Sequence, residues 1–135
     1  MKLTKNFHLD ELKVSSDHPE LARRIIFSSY EIYKAKALCE LILQPVRDKF
    51  GQVKILSGKR SAELNDAVGG ASTSHHLYKG PSAAADFTVP GADLETVYEY
   101  IRTELMYGEC FHYPGRGFIH VALPTPNDFM QDGIL

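Results

Sequence analysis

Near the end of the chain, Glu109-Cys110-Phe111-His112-Tyr113 and Phe118-Ile119-His120-Val121-Ala122-Leu123 stand on either side of Pro114-Gly115-Arg116-Gly117. Strand-forming residues flanking a Gly-rich tetrapeptide predict a β-hairpin. No other stretch restricts the fold as much, because a tight turn fixes the antiparallel register. A turn centred on Gly115-Arg116 pairs Tyr113 with Phe118 and Phe111 with His120. Side chains alternate along a strand, so Glu109, Phe111, Tyr113, Phe118, His120 and Ala122 are expected on one face and His112 on the other. A slip of one residue would exchange the two faces.

The second informative stretch is Ser74-His75-His76-Leu77-Tyr78-Lys79-Gly80-Pro81-Ser82-Ala83-Ala84-Ala85-Asp86, with two imidazoles and a carboxylate on either side of a Gly-Pro turn. The three alanines leave room for close packing, and Phe87-Thr88-Val89 reads as the continuation of a strand. Asp86 is therefore expected on a strand and His76 on a loop. Imidazole nitrogen and carboxylate oxygen are ligands that suit Zn²⁺, and a catalytic zinc takes three of them. His120 is the best third candidate. The ordinary alternatives are a solvated histidine beside a turn for His76 and a satisfied histidine on a half-buried strand for His120.

The rest of the chain reads as one α+β domain over residues 1–135, with an N-terminal arm over 1–18 and an irregular tail over 124–135. Asn6 to Leu12 looks like an arm ending in one helical turn, and Pro19 suits a first helical position. Ile32, Ala35, Leu38, Leu41, Ile42, Val46 and Phe50 follow a helical period, with a kink expected near Leu43-Gln44 because Pro45 interrupts it. Gly51 ends that helix. Val53 to Leu56 alternates like a strand, and Gly58 after it allows a tight turn that aims Arg60 towards a site. Ala62 to Val68 is a short helix stopped by Gly69-Gly70. Asp93 caps a helix with Leu94, Val97, Tyr98, Ile101 and Leu105 on one face. The architecture expected is a small antiparallel sheet packed against N-terminal helices.

Composition excludes several classes. With 135 residues, 44% hydrophobic and 24% charged, the chain suits an ordinary soluble globular domain. A net charge of −2 gives no field for nucleic acid. The two cysteines, Cys39 and Cys110, lack CxxC spacing and read as buried thiols. His8 and His18 read as surface residues. Neither a signal peptide nor a membrane span is expected, so synthesis in the cytoplasm is.

Six fragments, in order, resemble the M15 family of zinc D-Ala-D-Ala carboxypeptidases and related peptidoglycan peptidases, in particular its small phage and prophage branch. Asn6-Phe7 with Glu11-Leu12 resembles the family's opening arm, and Leu43-Gln44-Pro45-Val46-Arg47-Asp48 resembles its "LQPLRD" helix. Ser57-Gly58-Lys59-Arg60-Ser61 resembles "SGYRS", and Leu64-Asn65 with Val68-Gly69-Gly70 resembles "LNxxVGG". Ser74-His75-His76 with Ala84-Ala85-Asp86 resembles "SxH" and "AxD", and Phe118-Ile119-His120-Val121 resembles "WVHV". The resemblance implies a compact fold of the kind shared with hedgehog signalling domains. It implies one zinc held by His76, Asp86 and His120, and Arg60, with Ser74 nearby, binding the substrate. The partner implied is a peptidoglycan peptide, cleaved at an amide bond.

Three positions depart from the family pattern. His76 and Asp86 are ten positions apart rather than seven, which places about three extra residues around Lys79-Gly80-Pro81, where the loop could bulge outward. Lys59 stands where the family has an aromatic residue. The family's catalytic Glu falls on Tyr113, and Glu109 falls on its Gln. Glu109 and Tyr113 are therefore both candidate catalytic groups, the first as base and the second as an oxyanion donor. The rival to a phage lysin is a zinc-containing structural or wall-binding module of a phage particle, with virion proteins as partners.

Overall fold

The computed structural model describes residues 1–126, so positions 127–135 of the expected tail lie outside the described residues. The N-terminal arm is anchored by Leu3, Phe7, Leu9 and Leu12, all buried, and ends in a 3₁₀ turn, Leu9–Leu12. Helix α1 (Pro19–Arg23) starts with its proline in the first turn, where a missing N–H has no cost. Ser28 caps α2 (Ser29–Leu38) by accepting from Glu31 N–H, and the Glu31 carboxylate accepts from Ser28 N–H in return.

The long helical period does not break at Pro45. Helix α2 passes through a π turn, Cys39–Leu43, directly into α3 (Gln44–Phe50). The expected kink is thus a widened turn just before the proline. Pro45 has no N–H to donate, and shifting the ladder to i→i+5 bonds, with Gln44 N–H on the Cys39 carbonyl, keeps the helix continuous past it. Gly51, at φ 96°, then stops the helix in a conformation that L side chains disfavour.

Strand β1 (Lys54–Ser57), α4 (Ala62–Ala67), a 3₁₀ turn at His75–Leu77, β2 (Ala84–Thr88), α5 (Leu94–Glu104), β3 (Glu109–Tyr113) and β4 (Phe118–Ala122) complete the described elements. The four strands form an antiparallel sheet in the order β1-β2-β4-β3. The hairpin takes the expected register, with Tyr113 opposite Phe118, Phe111 opposite His120 and Glu109 opposite Ala122. What local pattern could not give is the partner on the other side of β4, which is β2.

One face of the sheet is the core face. Ala85, Phe87, Ile119 and Val121 are fully buried there, as are Leu38, Ile42, Leu43 and Val46 from the long helix and Val97 and Ile101 from α5. His112 also turns to this side, its Nδ1 2.8 Å from Glu95 of α5 and its ring 5.8 Å from that of Tyr98. Cys39 and Cys110 are buried free thiols, and burial pushes both up to about 12. Among the described residues no helix is long and apolar enough to cross a membrane. The opposite face carries Asp86, His120, Glu109, Phe111, Tyr113 and Phe118.

Gly58 is needed for a different reason from the expected turn. A Cβ there would lie 2.3 Å from the Leu12 carbonyl oxygen and 2.6 Å from Leu12 Cα, so the arm packs directly on its backbone. Lys59 N–H donates to that same carbonyl at 3.0 Å. Gly58→Ala should therefore cost about 2–3 kcal/mol or more by forcing backbone apart. Urea denaturation of the two proteins checks this, and an unchanged midpoint would mean the arm is not seated on Gly58.

Candidate metal centre

The ligand set is built by register. Asp86 on β2 lies directly opposite His120 on β4, so the two side chains leave the same face of adjacent strands. His76 arrives from the 3₁₀ turn, which Ser74 caps by accepting from His76 N–H at 3.2 Å. Arg60 N–H donates to the His76 carbonyl at 2.7 Å and ties that turn to the end of β1.

The lengthened loop between His76 and Asp86 is held from inside. Tyr78 takes a left-handed conformation (φ 58°), and its hydroxyl donates to the Ala84 carbonyl at 3.2 Å. The buried Lys34 ammonium donates to the carbonyls of Tyr78 and Gly80, the latter at 2.8 Å. Only Lys79, Gly80 and Pro81 are exposed, so the extra residues form an outward tip, and Ser82 and Ala83 are buried again. Lys59 is a second internal strut, donating to Glu31 at 2.8 Å and to the Ile26 carbonyl at 2.7 Å.

The three ligand atoms converge. Nε2 of His76 is 3.2 Å from Oδ1 of Asp86 and 3.3 Å from Nδ1 of His120, and Nδ1 of His120 is 2.8 Å from Oδ1 of Asp86. A tetrahedral zinc with bonds of about 2.0–2.1 Å sets its ligand atoms roughly 3.3 Å apart, so the set fits such an ion with small adjustments. His76, Asp86 and His120 are the group among the described residues that could hold a metal.

The outer nitrogens of both rings are engaged. Nδ1 of His76 donates to the Gly58 carbonyl at 2.8 Å, which leaves the Nε2 lone pair for a metal. Nε2 of His120 donates to Oε1 of Glu109 at 2.8 Å, which leaves Nδ1 as its ligand atom. The sequence pattern contained both partners, but only the fold shows that a glycine carbonyl and Glu109 choose the tautomers.

Burial works against charge on Asp86, yet the hydrogen bond from His120 and the closeness of both imidazoles outweigh it and hold the carboxyl well below its usual range. Burial likewise opposes protonation of His120, but bonds to Asp86 and Glu109 raise it to about 9. The hydrogen bond from His120 lowers Glu109 against the opposing effect of burial. A negatively charged cradle around an imidazole is also what a divalent cation requires.

The family model described as Peptidase M15 matches residues 5–122. The chain belongs to the peptidase M15 family. No curated protein and no solved structure gives a significant match.

In this M15 chain the ligand set lies between two hollows. A cleft of about 830 Å³ is lined by Asp86, Arg60, Tyr113, Arg116, Ser57 and Gly70, among others. A smaller pocket of about 280 Å³ is lined by Ser74, His75, Glu109, Phe111, Tyr113 and His120. Tyr113 belongs to both. Arg60 is half-buried, with its pKa lowered by burial against the pull of Asp86, and Nη1 is 3.3 Å from Oδ1 of Asn65. Asn65 is itself buried and donates to the carbonyls of Gly70 and Ala71. A Cβ on Gly70 would sit 2.1 Å from Asn65 Oδ1 and 2.9 Å from Arg60 Nη1. The Asn65 and Gly70 positions of the "LNxxVGG" fragment thus aim the guanidinium into the cleft.

The structure brings Glu109 to the ligand set but engages it, with Oε1 on His120 and Oε2 3.5 Å from Nε2 of His75. Ser74 lines the smaller pocket while its hydroxyl serves the turn. The sequence places His75 and Asn65 in family-like fragments but assigns neither a role. It also left His18 on the surface, whereas His18 is half-buried and lines the large cleft.

These shifts give pH dependences of opposite sign. In chelator-treated protein, the raised His120 contributes stability that is complete below its ordinary pKa and is lost as pH rises through about 9. Lowered Asp86 and Glu109 contribute stability present above the ordinary carboxylate range and lost as pH falls through it. Thermal melts should therefore peak between roughly pH 5 and 6.5. Zinc must displace the His120 proton, so its affinity should instead climb about tenfold per pH unit below 9. A flat affinity profile between pH 7 and 9 would mean that His120 carries no extra proton there in the metal-free protein.

Proposed function

We propose that this protein is a zinc peptidase that hydrolyses amide bonds in peptidoglycan stem peptides, as a D-Ala-D-Ala carboxypeptidase or endopeptidase of the phage lysin type. The observation that carries the reading is the His76–Asp86–His120 triangle, whose Asp86 lines a cleft that also holds Arg60. A zinc ion held there would polarise the scissile carbonyl and activate the attacking water. The resemblance of the motifs to those of the small phage branch supports the wall substrate and release to the wall at lysis or in a virion.

The remaining work falls to this chain's own side chains. Arg60 grips the substrate carboxylate, a task suited to a fork of donors that stays charged. It is preorganised by Asn65, so little rotamer freedom is lost on binding. Glu109 has two oxygens with separate duties: Oε1 orients His120, and Oε2, towards His75 and the smaller pocket, takes the proton from the attacking water and passes it to the leaving amine as the C–N bond breaks. A carboxylate with a lowered pKa remains ionised at neutral pH, ready to accept it. Tyr113, at the junction of the two hollows, donates a hydrogen bond from its phenol to the developing oxyanion.

A second reading has its own observation. The family's base position is occupied by Tyr113, and Glu109 is bonded to a ligand histidine, an arrangement that suits a wall-binding module with little hydrolysis. Glu109→Gln separates the two, because an amide oxygen can still accept from His120 while the base is lost. With purified peptidoglycan and zinc-loaded protein, we expect release of new amines in the wild type. Glu109→Gln should keep stoichiometric zinc and lose roughly 10²–10⁴ in rate. Tyr113→Phe should lose up to about 10². Stoichiometric zinc without release of amines in the wild type would favour the binding module, and full activity in Glu109→Gln would confine Glu109 to orienting His120.

A further inference from the structure

We propose that Arg116 forms a second anion subsite in the large cleft, so that the ligand is a peptide carrying another carboxylate besides the one held by Arg60. The inference rests on the peptidase reading for the role of Arg60. It adds a residue outside the family-like fragments of the sequence, since Arg116 lies in the hairpin turn.

Two guanidiniums, Arg60 and Arg116, line the same cleft, and neither is within ion-pair distance of a carboxylate among the described residues. The acidic groups that also line it are Asp17 and Asp86. Asp86 is bonded to His120 and belongs to the ligand set, so its charge is already answered. Asp17 and Arg116 are both exposed, and no ion pair joins them among the described residues.

Arg116 is also held in place, which distinguishes it from an ordinary turn residue. Arg116 N–H and Gly117 N–H both donate to the Tyr113 carbonyl, at 3.0 and 2.8 Å, and Gly117 takes φ 73°, closing the turn tightly. The guanidinium carbon lies 5.2 Å from the Phe118 ring centroid. Phe118 is stacked in turn on Tyr113, with centroids 4.8 Å apart and ring planes 27° apart. The guanidinium thus rests on Phe118, whose ring stacks with that of Tyr113, and Tyr113 lines both hollows. A cation resting on an aromatic face keeps its in-plane N–H donors free for a carboxylate.

The cleft is large for one terminal residue. Its volume of about 830 Å³ is at the upper end of the range for small-ligand pockets and accommodates several peptide residues. Arg60 at one position and Arg116 at another then read two negative groups of a single extended ligand. Peptides with one carboxylate should bind with only the first contact made.

The test uses zinc-loaded protein and two synthetic tagged tetrapeptides ending in D-Ala-D-Ala, identical except for Glu or Gln before the terminal pair. Binding is read by fluorescence anisotropy and hydrolysis by amine release, at low and at moderate salt. We expect the Glu peptide to bind roughly five- to tenfold more tightly than the Gln peptide, a preference that shrinks with salt. Arg116→Ala should bring the ratio to about one, Arg116→Lys should keep part of it, and Arg116→Glu should invert it. Zinc content and melting temperature confirm that each variant is folded. No preference in the wild type, no binding of either peptide, or a ratio unchanged in Arg116→Ala would overturn the proposal. Discrimination in binding without hydrolysis of either peptide would uphold the subsite and count against the peptidase reading instead.

Discussion

The whole site depends on one strand pairing, that of β2 with β4 in the register that sets Asp86 opposite His120. Two ligands from segments more than thirty residues apart become neighbours because antiparallel strands place opposed side chains about 5 Å apart on one face. The same pairing buries Phe87 and Ile119 on the other face. A slip of one residue would send both ligands into the core and both apolar side chains into the cleft. Burial of the apolar face therefore enforces the metal geometry, and the site needs no separate device to hold its register.

Around this pairing the chain adds constraints that select one state of each ligand. Gly58 shows the economy of the arrangement. Its missing Cβ admits the Leu12 backbone, and its carbonyl accepts from His76. The arm, the end of β1 and the first ligand are thus connected through one residue. Lys34 and Lys59 do comparable work inside the fold, where each ammonium finds carbonyl or carboxylate partners that offset its burial. The lengthened loop tolerates its extra residues because Lys34 and Tyr78 fix its base and leave only the tip in water.

Local chemistry made much of this legible. The hairpin register followed from turn composition and alternation, and with it the placing of Glu109 on the face of His120 and of His112 on the opposite face. The Asp93 cap of α5 is legible in the same way, whereas the caps at Ser28 and Ser61 show only in the fold. What stayed hidden depended on contacts between distant segments. The π turn before Pro45 is one of several ways to pass a proline, and packing selects it. The strand order β1-β2-β4-β3 is a topological fact that no period encodes. Asn65 and His75 looked like ordinary polar residues until the fold set one beside Arg60 and the other beside Glu109.

The central claim is that two imidazoles and one carboxylate, oriented by Gly58 and Glu109, hold a single metal. X-ray absorption at the zinc edge of the loaded protein tests it most directly. A four-coordinate site with only nitrogen and oxygen neighbours near 2.0–2.1 Å is expected, with outer-shell scattering from two imidazole rings. Loss of one ring's signature in His120→Ala would agree with it. A sulfur neighbour at about 2.3 Å, or scattering from a single imidazole in the wild type, would contradict it.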